Sequence, residues 1–172
     1  MRDHRKRVGQ RFSVSHLLQG NDGNDSQSQV LLYPSSTVPL RLISWEFSGA
    51  LRAGTVFEGS LTMNILIYAA LQTAPGSPSA QITPQPLDPS GPAATFTAWW
   101  PASGVGLGTA KEYFVQARVP FDQPFEFVLP IEREIIFPAG GFGYFHYSHE
   151  YIFNLNGGYH GLSSTVIVEE LN

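Results

Sequence analysis

Cysteine is absent from the 172 residues, and methionine occurs only twice. That absence excludes a disulfide framework and a thiolate metal site, and it leaves the redox state of the compartment open. Charge is sparse too: Asp, Glu, Lys and Arg make up 14% of the chain, and few charges favour surfaces that bury against other molecules. The longest apolar-leaning stretch, Ile65 to Leu71, falls well short of the roughly 20 residues that a membrane-spanning helix needs. The charged start, Met1 to Arg7, is not followed by the apolar segment of a secretory leader, so a soluble product is expected. Helical periodicity is nearly missing, with a short turn near Ser13 to Leu18 as the one candidate.

The length suffices for one domain and is short for two. A domain of this size buries roughly 70% of the surface its unfolded chain exposes, enough to stand without covalent staples.

The charge that is present is unevenly placed. Residues 1–11 hold five basic groups against Asp3, a net +4, and the remaining residues hold five basic and thirteen acidic groups, a net −8. Such a body offers no basic face to a nucleic-acid backbone, so sequence-specific nucleic-acid binding is not expected. The basic tip, with Arg2, Arg5, Lys6, Arg7 and Arg11, suits contact with phosphate, an anionic lipid surface or an acidic partner. A solvated terminus is the plainer reading. Arginine outnumbers lysine eight to two, which fits a thermophilic source or a GC-rich genome equally well.

Elsewhere the chain reads as short β-rich runs punctuated by Gly, Pro, Ser and Asn. The runs are Gln29–Tyr33, Val38–Phe47, Leu61–Leu71, Ala94–Trp100, Glu112–Val119, Phe125–Ile131, Arg133–Phe137, Phe142–Leu155 and Ser163–Glu170. In the second of them Ile43, Trp45 and Phe47 are expected on one side and Ser44 and Glu46 on the other. Between residues 74 and 92 lie six prolines. Each lacks a ladder donor, so a long stiff loop with polyproline character is expected there. Residues 1–27 thus read as a basic N-terminal arm and flexible link, and residues 28–172 as one β-barrel domain with a proline-rich loop at 74–92. About eight to ten strands are expected, antiparallel because helices for crossovers are lacking. The fold class is all-β: a single eight-stranded jelly-roll or β-sandwich barrel.

Candidate chemistry is thin. His146, His149, Glu150 and His160 suggest a metal site, but in a strand His146 and Glu150 face one way and His149 the other, so one metal requires a bulge. Phe145, Tyr147, Tyr151 and Phe153 form an aromatic row that suits a sugar platform or, more simply, sandwich core. Trp99 and Trp100 fall on opposite faces, which puts one of them outside the core as an interface anchor. There is no Gly-x-Ser-x-Gly elbow and no completed phosphate loop after Gly104 to Gly108. No catalytic set, cofactor or metal is therefore assigned, and no enzyme activity is expected. The residues singled out for an interface are Arg2, Arg5, Lys6, Arg7, Arg11, Pro84, Pro86, Trp99 and Trp100.

This plan resembles the small single-jelly-roll major capsid protein of tailless, icosahedral, membrane-containing double-stranded DNA phages of thermophilic bacteria. The shared traits are a short basic tip before an acidic β-rich body, a stiff proline loop, scarce charge and Arg over Lys. A net +4 is too little to offset a packaged single-stranded RNA, and it suits a shell separated from its genome. The resemblance implies a structural role in the virion: self-association, packing with a second capsid protein, and contact with an internal viral membrane surface. Two alternatives stay open, a carbohydrate- or receptor-binding β-sandwich module and a cupin-like metal enzyme.

Overall fold

A computed structural model describes residues 9–20, 28–51, 62–70, 78–101, 111–113, 119–120, 124–130, 133–150 and 160–171, and every structural statement below concerns these residues. The elements are β1 (Arg11–Gly20), β2 (Ser28–Tyr33), β3 (Leu40–Leu51), β4 (Thr62–Ala70), β5 (Pro78–Ile82), β6 (Gln85–Pro86), β7 (Thr97–Pro101), β8 (Lys111–Tyr113), β9 (Val119–Pro120), β10 (Phe125–Val128), β11 (Ile136–Phe137), β12 (Phe142–Glu150) and β13 (His160–Glu170). No helix occurs among them, and all pairings are antiparallel.

The strands form two sheets. The first runs β10-β3-β13-β1-β6, with β11 also on β3. The second runs β5-β7-β2-β12-β4-β8, with β9 also on β4. Side chains of alternating positions meet between them. Phe12 and Val14 of β1, Leu40, Leu42 and Trp45 of β3, and Val166 and Val168 of β13 face Val30 and Leu32 of β2, Ala98 of β7 and Phe145 of β12. This is the packing of a β-sandwich.

Aromatic rings fix how the layers meet. Phe145 of the second sheet stands edge-on to Trp45 (centroids 5.4 Å apart, 72°) and to Phe137 (5.5 Å, 74°) of the first. Such T-shaped pairs add attraction beyond the area they bury. Gly143, two residues before Phe145 in β12, makes room for this cluster: a Cβ there would lie 2.7 Å from the Phe137 ring. The indole of Trp45 donates to Ser164 Oγ at 2.8 Å, which satisfies a buried N–H.

The structure corrects several expectations. Ser13 to Leu18 is strand, not a helical turn, and β1 lies inside the first sheet between β13 and β6. Residues 11–20 of the expected arm and link are therefore strand, and Arg11 belongs to a strand rather than to an arm. The proline-rich segment is not a plain loop: β5 pairs with β7 and β6 pairs with β1, each at the margin of its sheet. Edge positions tolerate proline because one side of the strand needs no donor. Ile43 does not share the side of Trp45. The β3–β13 register slips between Ile167 and Val168, so that Ile167 opposes Ser44 and Val168 opposes Leu42. Ile43 is the extra residue of a bulge, and the inward positions change from even (Leu40, Leu42) to odd (Trp45) across it. The described residues hold thirteen short strands, several of them two to four residues long, where eight to ten were expected.

Phe145→Ala should cost about 3–5 kcal/mol of unfolding free energy, the range for losing a buried aromatic, whereas Leu87→Ala at an exposed position should change it by less than about 0.5 kcal/mol. Urea denaturation followed by tryptophan fluorescence measures both.

Candidate functional site

Two clusters of polar and aromatic side chains stand out on β1. The first lies at its beginning, where β1 meets the ends of β13 and β3. Arg11 opposes Glu169 across one ladder and Glu169 opposes Arg41 across the next. Glu169 is buried, yet it is served by donors on several sides. Arg41 Nε donates to its Oε2 at 3.0 Å and Arg41 Nη2 to the same oxygen, while Gly9 N donates to Oε1 at 2.6 Å. Arg11 Nε sits 3.9 Å away. Arg41 Nη1 reaches Glu134 Oε1 at 2.7 Å. The hydrogen bond that it donates to Glu169 is the main reason why the Arg41 guanidinium is held even more firmly protonated than usual. Gly9 permits this approach, since a Cβ there would fall 2.0 Å from the Glu170 carbonyl oxygen. Glu170, also buried, accepts from Thr95 N at 2.7 Å and Thr95 Oγ1 at 2.8 Å, and its own N–H donates to Gln10 O. The last two acids of β13 thus tie down the chain's first strand, β3 and the segment leading into β7.

Further along β1, His16 of the first sheet stacks on Trp100 of the second, with ring centroids 3.6 Å apart and planes at 13°. The pair continues the inward line of Phe12 and Val14, joining the layers by ring contact where those two join them by packing. His16 Nδ1 is buried without a hydrogen-bond partner. Burial holds the imidazole below its ordinary pKa, because desolvation disfavours the charged form.

The residues anticipated for an interface are scattered. Arg2, Arg5, Lys6 and Arg7 lie outside the described residues. Pro84 is half-buried between β5 and β6, and Pro86 pairs with Phe12 at the margin of the first sheet. Trp100 faces inward onto His16. Trp99 packs outside the main core, with Tyr33, against buried Leu31, Phe142 and Tyr144 on the outer face of the second sheet. Of the aromatic row, Phe145 lies in the core, whereas the side chains of Tyr147, Tyr151 and Phe153 are outside the described set. The β12–β4 ladder is unbroken from Phe142 to Glu150, so it contains no bulge to bring His146 and His149 together. His160 begins β13 in the other sheet.

Sequence reasoning missed His16, Arg41, Glu134, Glu169 and Glu170. One of these was signalled: Glu170 continues the inward parity of Val166 and Val168, so alternation alone places an acid in a buried register. The Arg41–Glu169 pair had no such signal, because its members lie 128 residues apart.

A scan against protein-family models, a search of curated proteins and a search of solved structures each returned no match.

Arg41→Ala should cost about 3–5 kcal/mol, because it strands a buried carboxylate, while Glu134→Ala should cost less than about 1 kcal/mol, as for an exposed pair; chemical denaturation separates the two. For His16 the folded state resists protonation. Stability is therefore undiminished above the unfolded pKa of about 6.5 and falls as pH drops below it, since the unfolded chain then binds more protons. His16→Phe should flatten that fall between about pH 7.5 and 5.5, measured by thermal melts. An NMR titration placing the His16 pKa at or above the unfolded value would contradict this account.

Proposed function

We propose that this chain is a structural protein of the single-jelly-roll kind, which self-associates and packs with a second β-barrel protein in an icosahedral viral shell. The observation that carries the fold half is the order of pairing. Taking β8 with β9 and β10 with β11 as interrupted single strands leaves eight principal strands. The first pairs with the last (β1–β13), the second with the seventh (β2–β12), the third with the sixth (β3–β10/β11) and the fourth with the fifth (β4–β8/β9). A long two-stranded ribbon wound around itself gives this nesting, with four strands to each sheet, and that is the jelly-roll plan. β5, β6 and β7 are insertions between the fourth and fifth strands that widen the sheets.

The functional half rests on what the sandwich leaves over. Charge is scarce, and large apolar side chains stand in solvent: Leu17 is 63% exposed, Val128 57% and Leu87 49%. Such side chains are available to be buried against neighbouring subunits. The acidic body with a basic tip supplies opposite charges for contact between copies, and the virion is the location this reading entails.

The expected outcome in solution is a concentration-dependent oligomer, read by multi-angle light scattering and sedimentation velocity. A species that stays a single chain at millimolar concentration would contradict the proposal. So would saturable, stoichiometric binding on a glycan array by that single chain, which is the behaviour of a carbohydrate-binding module.

A further inference from the structure

The outer face of the first sheet carries two acid-bearing rows that are treated differently. At one end, Glu169 and Glu134 are compensated by Arg41 and Arg11 from the chain itself. Four residues further along β13 a second row crosses the sheet: Glu126 of β10 opposes Glu46 of β3, Glu46 opposes Thr165 of β13, and Thr165 opposes Ser15 of β1. Thr165 and Ser15 satisfy each other through a 2.9 Å hydroxyl contact. Glu46 and Glu126 are both exposed, and no ion pair reaches either among the described residues. Carboxylates directly opposite on antiparallel strands stand with Cβ atoms about 5 Å apart, a destabilising arrangement. The arginines of the first row are about 13 Å away along the strand, beyond the Debye length of about 8–10 Å at working salt. Beside this pair the next row presents Val128, uncovered, next to Ser44 and Ile167.

The face therefore combines an uncompensated acidic pair with an adjoining exposed aliphatic side chain. The chain itself carries the complementary charge: Arg2, Arg5, Lys6 and Arg7 within the first seven residues. We propose that the outer face of the first sheet around Glu46, Glu126 and Val128 receives the basic N-terminal residues of a second copy of this chain. This rests on the self-association proposed above and assigns it a surface. Docking places guanidinium and ammonium groups over the repelling carboxylates, so the cost of the like-charge pair in the free chain becomes a gain on association. Arginine suits the task, because its planar fork can bridge two carboxylates and lay its stem along Val128.

The absence of native cysteine makes the test clean. Full-length chains carrying Asp3→Cys alone and Thr165→Cys alone, which keep every charge of the proposed contact, are mixed under mild oxidation. A disulfide-linked dimer should form at least about tenfold faster than in a mixture of Asp3→Cys with Leu87→Cys, since docking raises the effective concentration of one thiol near the other. In parallel, Glu46→Gln/Glu126→Gln should weaken the association constant by about tenfold and leave the thermal midpoint of the dilute chain unchanged or raised. Equal cross-linking rates, or full association by the double variant, would overturn this surface while leaving self-association standing. A chain bearing both cysteines that closes only on itself would assign the face to its own N-terminus and overturn the second-copy reading. A wild-type chain that never associates would remove the self-association reading and this one with it.

Discussion

The antiparallel ladder between β1 and β13 is the constraint on which the rest depends. Ten consecutive residue pairs, from Arg11 opposite Glu169 to Gly20 opposite His160, join the beginning of the described fold to its end inside one sheet. Such a contact joins positions about as far apart in sequence as the described residues allow. The loop it closes is nearly the whole sequence, yet closure entropy grows only logarithmically with length. What opposes closure is modest, and what favours it is dense. Phe12, Val14, Val166 and Val168 are buried along this ladder, and Glu169 and Glu170 collect donors from Gly9, Arg41 and Thr95. The ends are held by packing in the middle and by charge-assisted hydrogen bonds at the margin. Because the pairings are mostly non-local, this topology belongs to the slow-folding class.

Two local irregularities let the remaining strands fit around that ladder. The bulge at Ile43 reverses the parity of β3, so that Leu40, Leu42 and Trp45 all point inward despite their odd spacing. The neighbouring strand breaks at the same place: β10 pairs from Phe47 to Ser44 and β11 pairs at Arg41 and Leu40. The gap between them is bridged where Leu129 N donates to Ile43 O and Leu42 N donates to Ile135 O. The neighbouring strand thus leaves β3 beside the bulge, and Glu134, in the stretch between β10 and β11, meets Arg41.

These features explain what was legible in the amino-acid order. Strands β2, β12 and β13 were readable because each carries a run of residues that favour strands, Val30–Tyr33, Tyr144–Phe145 and Thr165–Val168. β1 was not, because Phe12 and Val14 are its two inward apolar residues before His16 and the strand follows directly on the basic tip. The parity of Ile43 was misread because alternation carries no mark of a bulge. The prolines of residues 74–92 argued correctly against a central strand and were silent about edges. The acid pair Glu46–Glu126 is visible only once register is known, since alternation places each on an outer face but not opposite the other.

The two outer faces of the sandwich also differ in kind. The second sheet's outer face is closed over an apolar cluster, with Leu31, Phe142 and Tyr144 buried and Tyr33 and Trp99 packed beside them. The first sheet's outer face is a field of hydroxyls and carboxylates (Ser13, Ser15, Ser163, Thr165, Glu46, Glu126) interrupted by Leu17 and Val128. Such a face has short side chains that admit close approach of another backbone, and hydroxyls that satisfy its polar groups without demanding one geometry. Its described side chains form no large contiguous apolar area of the kind that drives obligate association. Contacts made there are therefore expected to be reversible and governed by charge.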